Sequence, residues 1–496
     1  MLTVAIFVPI VAAIVLALRP NPEGGAATPR LRAIATGISA IPLVIMVVAW
    51  LRFDGSEGFD LIESARWIPT LGVGYKVGVD GVSLPLAAMT ALVFVASIIY
   101  PVDFRGRARQ YFALMLFLEG VSLGLFLALD LFLFFVFWDL SLVGMYFLIG
   151  AWGHGDAQRS ALKFFIYTLA GSLALLLGII GLYLASDPRT FDMEALITQQ
   201  PLPAKGLYSS LVFLGFFLGF AIKTPLVPFH TWLPPAHVDA PAPASAILAG
   251  VLLKMGTYGF VRVLLTMMPE TFERFAFPIG IVAVVSIVYG ALVALAQTNI
   301  KRLIAYTSVN HMGYVLLGVA AAAAASGEAA ARTVALTGAT VEMIAHGLIT
   351  GALFLISGSI LARGRTYEMD EFGGLAGRAP ALTGVTVVAA FASLGLPSLA
   401  GFVAEFQVFT GTLSIYPWLA GIGLVGIVIT AALFLRMLQK LFLGSLPEKW
   451  LRFPDLDRAE TAALAGLLAF VVVIGVTPAW LLDVIDRTAG RLLGIG

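Results

Sequence analysis

Fourteen stretches of about twenty mostly apolar residues dominate this chain, and they restrict it to very few folds. They are Leu2–Leu18, Leu31–Leu51, Leu84–Val102, Phe112–Leu129, Leu131–Gly150, Ala161–Leu184 and Leu207–Phe229, then Ala244–Leu265, Phe275–Leu295, Leu303–Ala325, Ala331–Leu361, Leu382–Thr410, Trp418–Phe442 and Thr461–Leu482. Each is long enough to cross a hydrocarbon core about 30 Å thick as a helix. Backbone in lipid must bond to itself, so helices or closed barrels are the only spanning forms, and segments of this length exclude the barrel. Composition agrees: 60% of the 496 residues are apolar and 12% are charged, against roughly 25% charged in a soluble protein. The expected fold is an all-α polytopic membrane protein, one membrane domain over residues 1–496. The net charge of +1 supplies no electrostatic footprint for a nucleic-acid partner. With no cysteine in the chain, a thiolate-held iron–sulfur cluster and covalent c-type haem are excluded.

The turn between the fourth and fifth spans is reduced to Asp130 and must be tight. The first span does not read as a signal peptide, because no Lys or Arg precedes it and Arg19 follows it. The longest polar segment, Arg52 to Ser83, carries Asp54, Glu57, Asp60, Glu63, Arg66, Lys76 and Asp80; its Gly-Tyr-Lys-Val-Gly-Val alternation predicts a short hairpin on the outer face. Loops after odd-numbered spans hold 14 Lys and Arg, including Arg105, Arg107, Arg109, Lys301 and Arg302; loops after even-numbered spans and the C-terminal tail hold 8. The positive-inside rule then makes the odd loops cytoplasmic and puts both termini on the other side. The Ala320–Ala325 run reads as a helix end.

An ionised group at the bilayer centre costs at least about 2.5–3.5 kcal/mol, so such residues are usually functional. Asp139 lies about 12 Å into its span and Lys254 about 15 Å into its own, at 1.5 Å per residue. Lys223 precedes Pro225 and Pro228. Glu342 and His346, at i and i+4, share one helical face. Glu405 follows Gly395-Leu-Pro-Ser. Glu119 and Arg436 are also intramembrane; a neutral acid bonded to a neighbouring helix and an arginine reaching to the membrane surface are sufficient readings of these two. Glu342–His346 could be a structural hydrogen bond. Asp139, Lys223, Lys254 and Glu405 together, of both signs and near the midplane, read as a relay.

Spans seven and twelve are each interrupted by proline, which removes a backbone donor and frees carbonyls. Each is the fourth span of a five-span block: residues 112–265 for spans four to eight, 275–442 for spans nine to thirteen, with 1–102 and 461–496 flanking. Five is odd, so consecutive blocks are inverted, and paired broken helices in inverted halves mark a transport site. A carboxylate approaching a buried ammonium favours its charged form, and one that withdraws releases the proton; Asp139 and Lys223 would form such a pair if they meet in space. Of the five histidines, His311 and His346 lie in spans and could carry protons or, in a rival reading, ligate haem; His154, His230 and His237 fall near loops and read as interfacial.

The stretch Lys223-Thr-Pro-Leu-Val-Pro-Phe-His-Thr-Trp-Leu-Pro-Pro-Ala-His-Val-Asp-Ala-Pro resembles the signature of the antiporter-like subunits of respiratory complex I. Leu252-Leu-Lys-Met-Gly-Thr-Tyr-Gly-Phe, Gln297-Thr-Asn-Ile-Lys-Arg-Leu-Ile-Ala-Tyr-Thr-Ser-Val-Asn-His-Met-Gly and Ala345-His-Gly-Leu-Ile-Thr-Gly-Ala-Leu-Phe-Leu-Ile-Ser-Gly are similar to the M-type in particular. The resemblance covers about residues 75–440. It implies about fourteen transmembrane helices with two inverted five-helix repeats and broken helices seven and twelve. It makes Asp139 and Lys223 a coupling ion pair, Lys254 the central lysine on the cytoplasmic input side and Glu405 the terminal group on the output side. His311, His346 and Glu342 then belong to the central axis.

The resemblance further implies proton translocation in the bacterial plasma membrane, with no cofactor in this chain. NADH, FMN, iron–sulfur clusters and quinone belong to the rest of an assembly that includes L- and N-type chains and small membrane subunits. Asp139 departs from the family's usual glutamate, so its reach is one methylene shorter; Pro235 and Asp239 replace a more usual Asp and Glu. The alternatives are the D-type subunit of a multisubunit cation/proton antiporter, and a non-conducting scaffold in which neutralising the midplane charges has no effect. The charge asymmetry carries its own test. A reporter fused after Gly496 is expected to be active only outside the cytoplasm; activity inside would change the parity of the spans and overturn the inverted-block reading.

Overall fold

The computed structural model describes residues 1–19, 27–55 and 58–495, so Glu57 and the fusion point at Gly496 lie outside the described residues. The chain enters as two antiparallel helices, α1 (Leu2–Ala17) and α2 (Ala27–Arg52). A hairpin of β1 (Asp60–Ile68) and β2 (Val73–Val79) follows. Then come α3 (Ser83–Ile99), α4 (Ala108–Leu127), α5 (Leu131–Trp152), α6 (Ala157–Ala185), the short α7 (Met193–Gln199), α8 (Leu207–Lys223) and α9 (Leu233–Asp239). The next rod runs through α10 (Ala242–Ile247), a π-helical turn (Leu248–Leu252), α11 (Leu253–Gly259) and a second π-helical turn (Phe260–Leu265). The remainder is α12 (Pro269–Leu295), α13 (Ile300–Ala322), α14 (Ala329–Gly364), α15 (Pro380–Ser393), α16 (Ala400–Ile415), α17 (Pro417–Phe442), α18 (Arg458–Val476) and α19 (Ala479–Leu492).

Helices overlie all fourteen apolar segments. Among the described residues ten are long and apolar enough to cross a bilayer; Leu2–Ala17, Ser83–Ile99, Leu207–Lys223 and Pro380–Ser393 are apolar but shorter. The layering is that of a body surrounded by lipid. The Ala242–Leu265 rod is wholly buried and α13 and α14 nearly so, whereas most of the apolar length of α6 and α17 is only partly buried or exposed. Lipid tails are as apolar as leucine, so exposed leucines cost nothing there and association depends on close backbone packing. The crossing of α14 over the central rod illustrates this. A Cβ on Gly250 would stand 3.1 Å from the Gly347 carbonyl oxygen, and one on Gly347 would stand 2.9 Å from that of Gly250. Two glycines therefore let the backbones touch, four residues before Lys254 and one after His346.

At the end of the molecule that carries the N-terminus, the predicted hairpin is present, with Glu63 opposite Val77 and Ala65 opposite Tyr75. Lys76 reaches Asp192 at 2.6 Å and Glu194 at 2.5 Å. Burial pushes the Lys76 ammonium down, but the two carboxylates outweigh it and hold it above its usual value. The turn between α4 and α5 is three residues long, 128–130, and not Asp130 alone; it stays tight because the Asp130 side chain accepts from Phe132 and Leu133 at 2.8 and 3.0 Å, capping α5, and from Gly74 of the hairpin at 3.0 Å. The alanine run ends α13 at Ala322, as expected. Glu119 is fully buried and accepts from Ser39 at 2.9 Å, the neighbouring-helix bond expected of it. Arg436 is exposed and donates to the Leu295 carbonyl at 2.8 Å, at the C-terminal end of α12.

A buried ion pair ties the hairpin to the rod. Arg262, in the second π-helical turn, donates to Asp80 at 2.5 Å and to Tyr258 at 2.9 Å; the Tyr258 hydroxyl donates to the Phe126 carbonyl at 3.1 Å. The other Asp80 oxygen accepts from Val82 and Ser83. Removing one partner of a buried pair costs about 3–5 kcal/mol. Arg262→Met is therefore expected to lower the melting temperature of the purified protein markedly, and Arg262→Met with Asp80→Asn to recover part of the loss. A single variant that melts like the wild type would show that the pair carries no stability.

Candidate proton-transfer axis

The first proline break builds one end of the site. α8 stops at Lys223, and the chain turns through residues 224–232 before α9. Lys223 is buried, its ammonium donates to Ser141 Oγ at 2.9 Å, and it lies 5.1 Å from the centre of the Trp138 ring. Ser141 donates to the Trp138 carbonyl at 2.7 Å, and Trp138 Nε1 donates to Ser172 Oγ at 3.0 Å. Asp139 stands beside Ser172, half-buried and within electrostatic reach of Lys223. Among the described residues Asp139 and Lys223 do not close to the 4.0 Å of an ion pair; Ser141 takes the ammonium. The break also packs on the rod: a Cβ on Gly256 would fall 2.4 Å from Thr224 Oγ1.

The centre is Lys254, with no exposure to solvent. Its ammonium donates to the Ala249 carbonyl at 2.5 Å and meets His346 Nδ1 at 2.5 Å. Ala249 lies in the first π-helical turn, where widened helix geometry alters the regular carbonyl ladder; such turns recur at functional sites. The His346 ring lies 5.4 Å, centre to centre, from that of His311. His311 meets Glu342 at 2.9 Å through Nδ1 and Ser393 at 3.2 Å through Nε2, with Glu405 at 4.0 Å.

Ser393 is the last residue of α15, so the second break opens onto this cluster. Gly395 has a φ of +77°, and a Cβ there would fall 2.2 Å from Glu405 Oε2. Glycine serves twice at this position: it permits the left-handed backbone of the break and leaves room for the carboxylate folded against it. Both breaks thus end on titratable groups, and a line of buried titratable groups runs from Lys254 through His346 and His311 to Glu405, hydrogen-bonded at Lys254–His346 and separated by 5.4 Å between the two imidazole centres.

Two sequence expectations need correction, and one open alternative is decided. Glu342 and His346 share a face but not a bond; each is taken by a different helix, Glu342 by His311 of α13 and His346 by Lys254. Lys301 is not a loop charge. It is fully buried, donates to the carbonyls of Ala240 at 2.5 Å and Val238 at 3.4 Å, and sits 5.3 Å from the centre of the Tyr367 ring. Nor is His237 interfacial: it is fully buried and stacked at 4.4 Å on Phe354, within electrostatic reach of both Lys301 and Lys254. Neither of its ring nitrogens has a hydrogen-bond partner among the described residues. Beyond Lys301 lies a cavity of about 610 Å3 lined by Asp103, Arg105, His154 and Tyr367 among others. Burial, with the Lys301 and Arg105 cations, pushes His154 down to about 4, so it is neutral near neutral pH.

Comparison with known proteins places this geometry. The NADH:quinone oxidoreductase/Mrp antiporter transmembrane family profile matches residues 128–430, a stretch that contains both breaks and every residue of the axis. The chain belongs to this family. It is similar along its length to the NADH-quinone oxidoreductase subunit M of Rhodobacter capsulatus, with 36% identity over 508 residues covering 99% of this chain and 96% of the relative. Among solved structures, a chain of respiratory complex I from Thermus thermophilus superposes with a TM-score of 0.87 at 30% identity, covering 100% of both chains. A chain of the Mrp complex from a Dietzia species superposes at 0.85 with 22% identity, covering 99% and 97%, which establishes a shared fold.

For an antiporter-like family member, the residues missed in the sequence had weak signals. Ser141 is an ordinary helical serine two residues from Asp139. Lys301 reads as a loop cation between the ninth and tenth spans, and Ser393 as an ordinary serine before the Gly395 break. The Gly395 geometry gives a sharp test. Gly395→Ala puts a methyl group onto Glu405 and strains the backbone, so the carboxylate must leave His311. Assembly is expected to fall modestly and proton transfer, read by a pH-sensitive dye in vesicles, by about tenfold or more, since about 1.4 kcal/mol is a factor of ten. Undiminished transfer would show that the position of Glu405 against the break is immaterial.

Proposed function

We propose that this chain is the M-type proton-translocating subunit of a complex I-like NADH-quinone oxidoreductase. Quinone reduction in other subunits supplies the energy, and this chain moves protons through Lys223, Lys254, His346, His311 and Glu405. The observation that carries the reading is the buried line of titratable groups from Lys254 to Glu405, set between two helix breaks in a chain similar over its full length to subunit M of such an enzyme. The finer architecture belongs to the same proposal: fourteen spans, inverted repeats at 112–265 and 275–442, both termini outside a bacterial plasma membrane, and L- and N-type neighbours. NADH, FMN, iron–sulfur clusters and quinone are assigned to those other subunits.

The chemistry follows from who touches whom. The Lys254 ammonium can hand a proton to neutral His346 Nδ1, the bond between them being already in place. His346 can pass a proton from its free Nε2 toward His311, whose two nitrogens connect to Glu342 and to Ser393 at the second break. Glu405 is the last acceptor. Lys301, Asp239 and His237 lie between the cavity near His154 and the Lys254–His346 pair, and supply a route for reprotonation. Asp139 and Lys223 act one step back: movement of the carboxylate relative to the ammonium shifts the positive charge near Thr224 and Gly256, and so the field at Lys254.

Lys254→Met keeps the length of the side chain and removes its charge and proton. The assembled variant is expected to lose at least about 90% of coupled proton transfer, a loss of roughly 1.4 kcal/mol or more in transition-state stabilisation, while native gels show normal assembly. If assembled Lys254→Met pumps normally, the axis does not carry the proton. If wild-type vesicles instead exchange sodium for protons without quinone reduction, the D-type antiporter reading replaces this one.

A further inference from the structure

A groove of about 500 Å3 runs down the flank of the molecule between α1, α4 and α5, away from the proton axis. Its wall is apolar: Ala13 and Ala17 of α1, Leu114 and Phe117 of α4, Val143 and Phe147 of α5. Ala13 and Ala17 leave the hollow that larger side chains would close. The sides are open to the surroundings, with Val143 42% and Phe147 50% exposed. On α5 the groove runs from Val143 to Trp152, about 14 Å at 1.5 Å per residue, which is about half of a 30 Å hydrocarbon core. It has the length of one leaflet's tail region and does not continue through the membrane.

Among the described residues one end of the groove is predominantly cationic. Arg107 lines the mouth, is exposed, and lies with its guanidinium 5.8 Å from the centre of the Trp152 ring. Arg105 of the same loop is also exposed, and Arg19 follows the end of α1 on this side. Three arginines in residues 103–109 face a single acid, Asp103, whose carboxylate accepts from the Arg105 backbone at 3.0 Å. The mouth is also the N-terminal, positive end of α4, whose first turn holds no acidic residue. A tryptophan and an arginine at the polar end of an apolar slot match the water–lipid boundary, where indole rings settle and guanidinium groups take phosphate bidentately.

We propose that this groove binds an anionic glycerophospholipid of the leaflet on the Arg105–Arg107 side, with its phosphate on Arg107 and one acyl chain along α4 and α5. The cationic mouth distinguishes the groove from ordinary lipid-facing surface, and its one-leaflet length distinguishes its occupant from a transmembrane helix of another subunit. The proposal rests on the chain's membrane location and not on its proton chemistry.

The test uses the purified native assembly in phosphatidylcholine nanodiscs containing a trace of a phospholipid with a photoreactive tail, either phosphatidylglycerol or phosphatidylcholine. After illumination, peptide mass spectrometry locates the adducts. The glycerol analogue is expected to label the peptides holding Leu114–Phe117 and Val143–Phe147 about tenfold more than the choline analogue, because both offer Arg107 a phosphate but only the glycerol headgroup keeps a net negative charge beside the arginines. Arg107→Gln should remove that preference, and Val143→Trp should reduce labelling by both. Equal labelling by the two analogues in the wild type overturns the proposal without any variant having to fold. Retention of the preference in Arg107→Gln, or coverage of these peptides by cross-links to another subunit, overturns it as well.

Discussion

The contact between the Lys254 ammonium, the Ala249 carbonyl and His346 is what the rest of the molecule is arranged to hold. A cation with no solvent exposure, in a body whose outer surface is hydrocarbon-like, must have its donors answered by the protein. Here one answer is a backbone oxygen in a π-helical turn and the other is an imidazole. Neither would be in reach if the rod and α14 were separated by ordinary side chains. Gly250 and Gly347 bring the two backbones together next to these groups, so packing and chemistry depend on the same crossing.

Irregular backbone follows the same logic. In the hydrocarbon region a broken helix is tolerated where its freed groups are covered by protein. The break after Lys223 lies against Gly256 of the rod, and the break at Gly395 lies against Glu405. Each interruption sits where a neighbouring helix can cover it and where a titratable side chain can use the space. The π-helical turns on either side of α11 add two more departures from regular geometry within a few residues of Lys254, so the most polar part of the interior is also the part with the least regular backbone.

The ion pair between Arg262 and Asp80 shows a different use of buried charge. Its groups are met by Tyr258 and by the amides of Val82 and Ser83, with Nη1 of Arg262 left without a partner among the described residues, and it fastens the polar hairpin segment to the rod. The charges of the axis are more sparsely answered: His346 keeps one ring nitrogen and Glu342 one oxygen without a partner among the described residues. A direct contact between opposite full charges holds structure in place, whereas an imidazole or carboxyl group with a free nitrogen or oxygen can still accept or release a proton.

Much of this was legible in the linear sequence, because charge is so unfavourable in an apolar span that each instance stands out. Lys223, Lys254, Glu405, His311 and His346 could be named from depth and residue type, and the breaks from proline, without reference to any contact. The hairpin followed from glycine alternation, and the place of the α4–α5 turn from one polar residue between two apolar runs, though the turn takes in Ala128 and Leu129 as well. Pairing was not legible. That Lys223 rests on Ser141 and not directly on Asp139, that Glu342 goes to His311 and not to His346 one turn away, and that Lys301 is buried on the carbonyls of Val238 and Ala240 all depend on the register between helices distant in sequence. Chain chemistry determines which residues cannot be left unanswered in a membrane; only the packing of the helices, set by a few close glycine crossings, decides which group answers each of them.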